Sequence, residues 1–148
     1  MKELDELAPD FSFVAAKGLT ASHYEIWPES FGNALMVVKS SRIALRFTRD
    51  RGTLAVEVGG AGPKWSLSSF FTKKPEPWIH LPYLIRFVDP ASKVVPSDYL
   101  SLPEQARWLH ANWCKVVNLI ADEKQVSALE VFQDTQANAL LKKIFGDF

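Results

Sequence analysis

One cysteine, two methionines and seven glycines in 148 residues leave several protein classes without material. The lone thiol, Cys114, builds neither a disulfide framework nor a zinc site of several cysteines. His23, His80 and His110 stand far apart, and neither H-x-x-x-H nor H-E-x-x-H occurs, so metal ligands at a useful spacing are missing. No G-x-S-x-G elbow is present, and neither is G-x-G-x-x-G or G-x-x-x-x-G-K-[ST]. The longest nearly uncharged apolar stretches, residues 34–38 and 78–85, fall far short of the roughly 20 residues a membrane helix takes. The opening Met1-Lys2-Glu3-Leu4-Asp5-Glu6-Leu7 is acidic and lacks the apolar centre of a secretory signal, so a cytoplasmic location without membrane association is expected.

What is present suits a packed domain. Ten Phe, five Trp and three Tyr, within a chain that is 47% hydrophobic and 23% charged, supply a core and exclude disorder as the general state. The length fits a single domain, residues 1–148. It divides into an N-terminal helical part over 1–18, an antiparallel meander over 23–62 and a helical pair over 100–146. The charges cancel to zero but are unevenly placed: net −4 over residues 1–38, +6 over 39–74 and −2 over 75–148. A basic middle can attract phosphates or an acidic protein, although runs of this kind are usually the solvated faces of strands.

The periodicity predicts an α+β fold, an antiparallel β-meander packed against C-terminal helices. Residues 3–17 read as helical, with a break at Ala8-Pro9 and a C-cap at Gly18. Strands follow around Tyr24–Trp27, over 34–39, and from Arg42 to Arg49. In the last of these, Ile43, Leu45 and Phe47 alternate with Arg42, Ala44, Arg46 and Thr48. Asp50-Arg51-Gly52 makes a tight turn, and Leu54, Val56 and Val58 return on the apolar face. Matching the apolar rows pairs Phe47 with Val56 and Arg46 with Glu57. A helical turn is expected over 66–72, loops over 73–77 and 89–98, and a helix over 77–88, where a strand is the competing reading. Ser101-Leu102-Pro103-Glu104 is a capping box. It opens a helix of about five turns with Ala106, Leu109, Trp113, Val116, Val117 and Ile120 on its buried stripe. Asp122 caps a further helix, whose stripe is Leu129, Phe132, Gln136, Leu140 and Ile144.

Candidate chemistry is sparse. His110 and Cys114 are four residues apart on a helix, a spacing open to a metal or a thiolate pair, but a mid-helix cysteine reads better as a small buried hydrophobe. Gly59-Gly60-Ala61-Gly62-Pro63-Lys64 follows a strand and ends in a lysine, yet Pro63 removes a donor that a phosphate cradle needs. Asp122-Glu123 is better explained as capping than as an acid–base pair. Arg42, Arg46, Thr48 and Glu57 are expected on one polar sheet face. Phe47 is the one aromatic in the basic strands and points inward, which argues against nucleic acid as a partner. Trp108 lies about 140° from the buried stripe on a helix with 100° per residue, so it either packs on another element or anchors an interface.

Phe31-Gly32-Asn33-Ala34-Leu35-Met36-Val37-Val38, Arg42-Ile43-Ala44-Leu45-Arg46-Phe47, Asp50-Arg51-Gly52-Thr53 and Val56-Glu57-Val58 together resemble a pattern in short bacterial proteins. Some of these are similar to immunity proteins of contact-dependent growth inhibition and related polymorphic toxin–antitoxin systems. The resemblance covers residues 31–58 and carries over no functional residue. It implies a cytoplasmic, non-enzymatic protein that binds one toxin domain, with no cofactor and no metal. A basic toxin would meet the acidic stretches, residues 1–38 and 122–134. The expected partner-binding residues are Glu123, Glu130 and Asp134, with Trp108, Arg42 and Arg46. Two other classes stay open: a small hydrolase or nucleotide-handling enzyme using the Gly59–Lys64 loop, and an adaptor or structural subunit of a larger assembly.

Overall fold

The computed structural model describes residues 1–61, 77–91 and 101–146. The architecture is α+β, and the chain forms two compact units, Met1–Trp78 and Ile79–Phe148. The expected helical turn over 66–72, most of both expected loops and the end of the Gly59–Lys64 loop lie outside the described residues.

In the first unit, helix α1 (Lys2–Leu7) stops where Pro9 follows Ala8, and a 3-10 helix (Pro9–Lys17) continues to Gly18. Gly18 takes the left-handed conformation, φ 87°, which costs glycine little. Four strands follow: β1 (Thr20–Trp27), β2 (Asn33–Lys39), β3 (Ala44–Asp50) and β4 (Thr53–Gly59). Each pairs antiparallel with the next. Phe47 stands opposite Val56 and Arg46 opposite Glu57, the register that the apolar rows require. A slip of one residue would have turned Phe47 to solvent. The β3–β4 connection has Arg51 and Gly52 both at positive φ, 50° and 82°, as a two-residue hairpin with right-handed strand twist demands.

The face of the sheet carrying Met36, Val38, Leu45, Phe47, Val56 and Val58 is fully buried. Leu4, Phe11 and Val14 from the N-terminal helices are buried with them. Phe11 meets Phe47 edge-on, with ring centroids 5.4 Å apart. The N-terminal segment is thus the layer that closes this core, and the edge-to-face geometry adds to the area term.

The second unit opens with a two-residue strand, β5 (Ile79–His80), which leads directly into α2 (Leu81–Val88). Of the two readings of residues 77–88, the helix prevails from Leu81 onward, with Pro82 in the first turn, where its missing N–H is harmless. Helices α3 (Leu102–Ala111), α4 (Trp113–Ala121) and α5 (Glu123–Phe145) complete it. The expected five-turn helix is therefore two helices. Asn112 leaves helical geometry at φ −111°, ψ 17°, and its side-chain amide donates to the Trp108 carbonyl at 2.9 Å. An amide that bonds the preceding turn offers the backbone an alternative to continuing. The expected stripe nonetheless holds on both sides of the break: Ala106, Leu109, Trp113, Val116, Val117 and Ile120 are all buried. Phe87 on α2 packs edge-on against Phe132 on α5, with centroids 5.6 Å apart, and the His80 N–H donates to Gln133 Oε1 at 2.7 Å.

Candidate functional site: the outer face of the C-terminal helix

Helix α5 starts at a well-made cap. Asp122 Oδ1 accepts from the backbone N–H groups of Lys124 and Gln125 at 3.0 and 3.3 Å, as the sequence predicted. Its buried side centres on Leu129, which is fully enclosed, while Val126, Phe132, Gln133, Gln136, Ala137 and Leu140 are half-buried. At 100° per residue, Glu123, Glu130 and Asp134 fall within about 40° of one another, on a face roughly 80–120° from the middle of that contact line. Glu123 and Asp134 are exposed and Glu130 is half-buried. A rise of about 1.5 Å per residue places the first and last of these acids about 16 Å apart along the axis.

The same face continues past the acids into Leu141 and Phe145, with Ile144 at its border. All three are exposed, Ile144 to 61% and Phe145 to 69%. The sequence placed Ile144 on the buried stripe, and the structure corrects this. Steps of four residues advance about 400°, so the series Phe132, Gln136, Leu140 and Ile144 walks about 40° per step around the helix and leaves the contact line. The phase of Leu141, shared with Glu123 and Glu130, was the signal that would have found the apolar half. One helix face thus carries negative charge at its N-terminal end, where it also suits the helix dipole, and uncovered apolar area at its C-terminal end.

The other expected partner-binding residues belong to other elements and loops. Trp108 lies on α3 and is half-buried. Arg42 precedes β3 instead of lying in it. Its backbone N–H and that of Ile43 donate to Ser40 Oγ at 3.2 and 3.4 Å, forming a tight loop between β2 and β3. Arg42 therefore lies outside the strand that carries Arg46. Arg46 is occupied within its own unit: Nε and Nη2 reach Glu57 Oε1 at 3.0 and 2.8 Å, and Nη2 reaches Oε2 at 2.8 Å. Its guanidinium also stacks on Trp78, 4.7 Å from the ring centroid. Cys114 is exposed, which corrects the expectation of a buried hydrophobe. It occupies the second position of α4, the new helix that the break at Asn112 creates.

Among the described residues, no group of three or more His, Cys, Asp or Glu side chains is placed to hold a metal ion. Among them too, no helix is long and apolar enough to cross a membrane. A shallow depression at the α4–α5 junction is lined by Asn118, Ala121, Asp122, Glu123 and Lys124, next to the acidic end of the α5 face. Comparison of the chain with protein-family models, with curated proteins and with solved structures finds no match to any of them.

Proposed function

We propose that this chain is a non-enzymatic protein-binding module, and in its most specific form an immunity protein that neutralises a bacterial toxin domain by direct binding in the cytoplasm. The observation that supports this reading is the outer face of α5, where Glu123, Glu130 and Asp134 precede exposed Leu141, Ile144 and Phe145. Acids steer and orient a basic partner, and the apolar end supplies area to bury on contact. A toxin that acts on nucleic acid needs basic surface for its substrate and would offer that complement. The resemblance over residues 31–58 suggests the toxin; the helix suggests the surface.

The test is protection. If the neighbouring gene encodes a toxic domain, cells producing that domain are expected to survive when the chain is co-produced. Reversing Glu123, Glu130 and Asp134 to lysine is expected to weaken toxin affinity about tenfold to a hundredfold, in line with the worth of several interfacial charge pairs. Leu141→Ala with Phe145→Ala removes apolar contacts worth about 1–2 kcal/mol each at an interface centre. Unchanged affinity in both variants, with melting temperature preserved, removes α5 as the surface. Death of cells despite a well-folded chain removes the antidote reading itself.

A further inference from the structure

A second surface lies in the other unit, at the edge of the sheet. All eight residues of β1 are exposed, on both faces, although the strand pairs with β2 on both sides of a bulge at Ser22. Among the described residues of this unit β1 is the edge of the meander. Its outer row of backbone donors and acceptors is a template for another strand. Tyr24 and Ile26 stand opposite Met36 and Ala34, on the face that elsewhere forms the core, yet both are exposed. His23 and Glu25 project from the opposite face, with His23 Nε2 3.0 Å from Glu25 Oε1.

We propose that β1 pairs antiparallel with β1 of a second copy of this chain, joining two meanders into one continuous sheet about a twofold axis. The strand's own sequence selects the register. An axis normal to the sheet keeps the two core faces on one side, so it must pass through a residue position and not between two. Centred on Glu25, the pairing sets two carboxylates face to face. Centred on His23, it sets Glu25 across from the bulge, where Ala21 has crossed to the core face, and leaves it no partner. Centred on Ile26, it sets Glu25 against Trp27. Centred on Tyr24, it places His23 opposite Glu25 of the second copy twice. The two Tyr24 rings then meet on the apolar face, with each Ile26 diagonal to the opposing ring. Only this last register satisfies charge on one face and apolar contact on the other. An interface of one strand pair is small, so the dimer is expected to be of moderate strength, with Kd on the order of 10 µM.

Sedimentation equilibrium of the full chain, with its thiol kept reduced, tests this across concentrations bracketing that value. The wild-type chain is expected to pass from monomer to dimer. Glu25→Lys is expected to weaken association about tenfold, because it removes the carboxylate that faces the His23 imidazole of the second copy. Exchanging both charges, His23→Glu with Glu25→Lys, restores opposed pairs only in the Tyr24-centred register and is expected to recover the dimer. Circular dichroism and thermal melting establish that each variant is folded. A wild-type chain that stays monomeric throughout overturns the proposal, as does a dimer indifferent to Glu25→Lys or one that the double exchange fails to rescue. Failure of the α5 variants to affect toxin binding would leave this result untouched, since the two surfaces belong to different units.

Discussion

Gly59 shows how one residue fixes what the polar side of the sheet can do. A Cβ built there would lie 3.0 and 3.2 Å from two carbons of the Trp78 ring and 3.4 Å from the Pro77 carbonyl oxygen. The indole is therefore seated on bare backbone, and from that seat it covers the Arg46 guanidinium. Gly59→Ala is expected to cost about 1–3 kcal/mol in urea unfolding, the range for forcing an extra methyl into a packed contact. A smaller side chain at position 78 in the same chain should recover part of that loss, giving a coupling that a double-mutant cycle resolves. The sequence marked Gly59 only as the start of a flexible exit from the hairpin. Nothing local to it reveals an indole arriving from nineteen residues downstream in the chain. Asn33 makes the same point at the opposite corner. Its amide donates to Asp50 Oδ1 at 3.1 Å and its carbonyl oxygen accepts from the Arg51 N–H at 2.8 Å. Beside it, Arg49 Nε donates to the Gly32 carbonyl at 2.8 Å. These bonds tie the β1–β2 turn to the β3–β4 turn and hold Phe31 at φ 59°, a conformation that L side chains other than Asn rarely adopt. Phe31→Asn is expected to raise stability by up to about 1 kcal/mol, because asparagine tolerates that geometry better and Phe31 gains nothing from burial at 81% exposure. A fall in melting temperature would refute this.

At the scale of elements, legibility followed how local the controlling forces are. The β3–β4 hairpin was readable to the residue, since alternation, the Arg51-Gly52 turn and the Arg46–Glu57 pair all demand one register. Both capping serine and capping aspartate were readable too: Ser101 Oγ accepts from the Glu104 N–H at 3.4 Å, and Asp122 accepts twice. Asp122→Ala is expected to lower unfolding free energy by about 1 kcal/mol, with Asp122→Asn costing less, because asparagine keeps the acceptor and loses only the charge near the helix dipole. Chemical denaturation of the two variants side by side checks that order. The break at Asn112 was not readable. An apolar stripe continues smoothly through it, and stripe phase reports burial, not whether the hydrogen-bond ladder is unbroken. The length of β1 was underestimated for the converse reason. Thr20–Trp27 has little amphipathic pattern because neither of its faces is covered, and the pairing comes from β2.

For the whole molecule, the arithmetic of zero net charge conceals an arrangement that acts at a distance. The acids of α5 sit in one unit, and the basic residues of β3 and the β2–β3 loop sit in the other. Arg46 is already engaged by Glu57, which lowers the capacity of the β3 face to recruit an anionic partner. The acidic helix face keeps its reach. Its association rate with a basic protein is expected to fall about tenfold between low salt and roughly 0.5 M, while dissociation changes little, which stopped-flow mixing would show. The acidic half of that face was visible in the sequence as Glu123, Glu130 and Asp134; the apolar half was legible only through the phase that Leu141 shares with Glu123 and Glu130, which the four-residue stripe ending at Ile144 obscured. The exposed Cys114 also has a practical use. A chain whose single sulfhydryl is open to solvent can join at most one copy to another, and never to itself. A maleimide dye attached to Cys114 therefore labels every molecule at one defined address on α4, remote in sequence from β1. Donor- and acceptor-tagged batches mixed at equal dose would then report subunit exchange directly as energy transfer, and the rate of its appearance would time the opening of the paired strands.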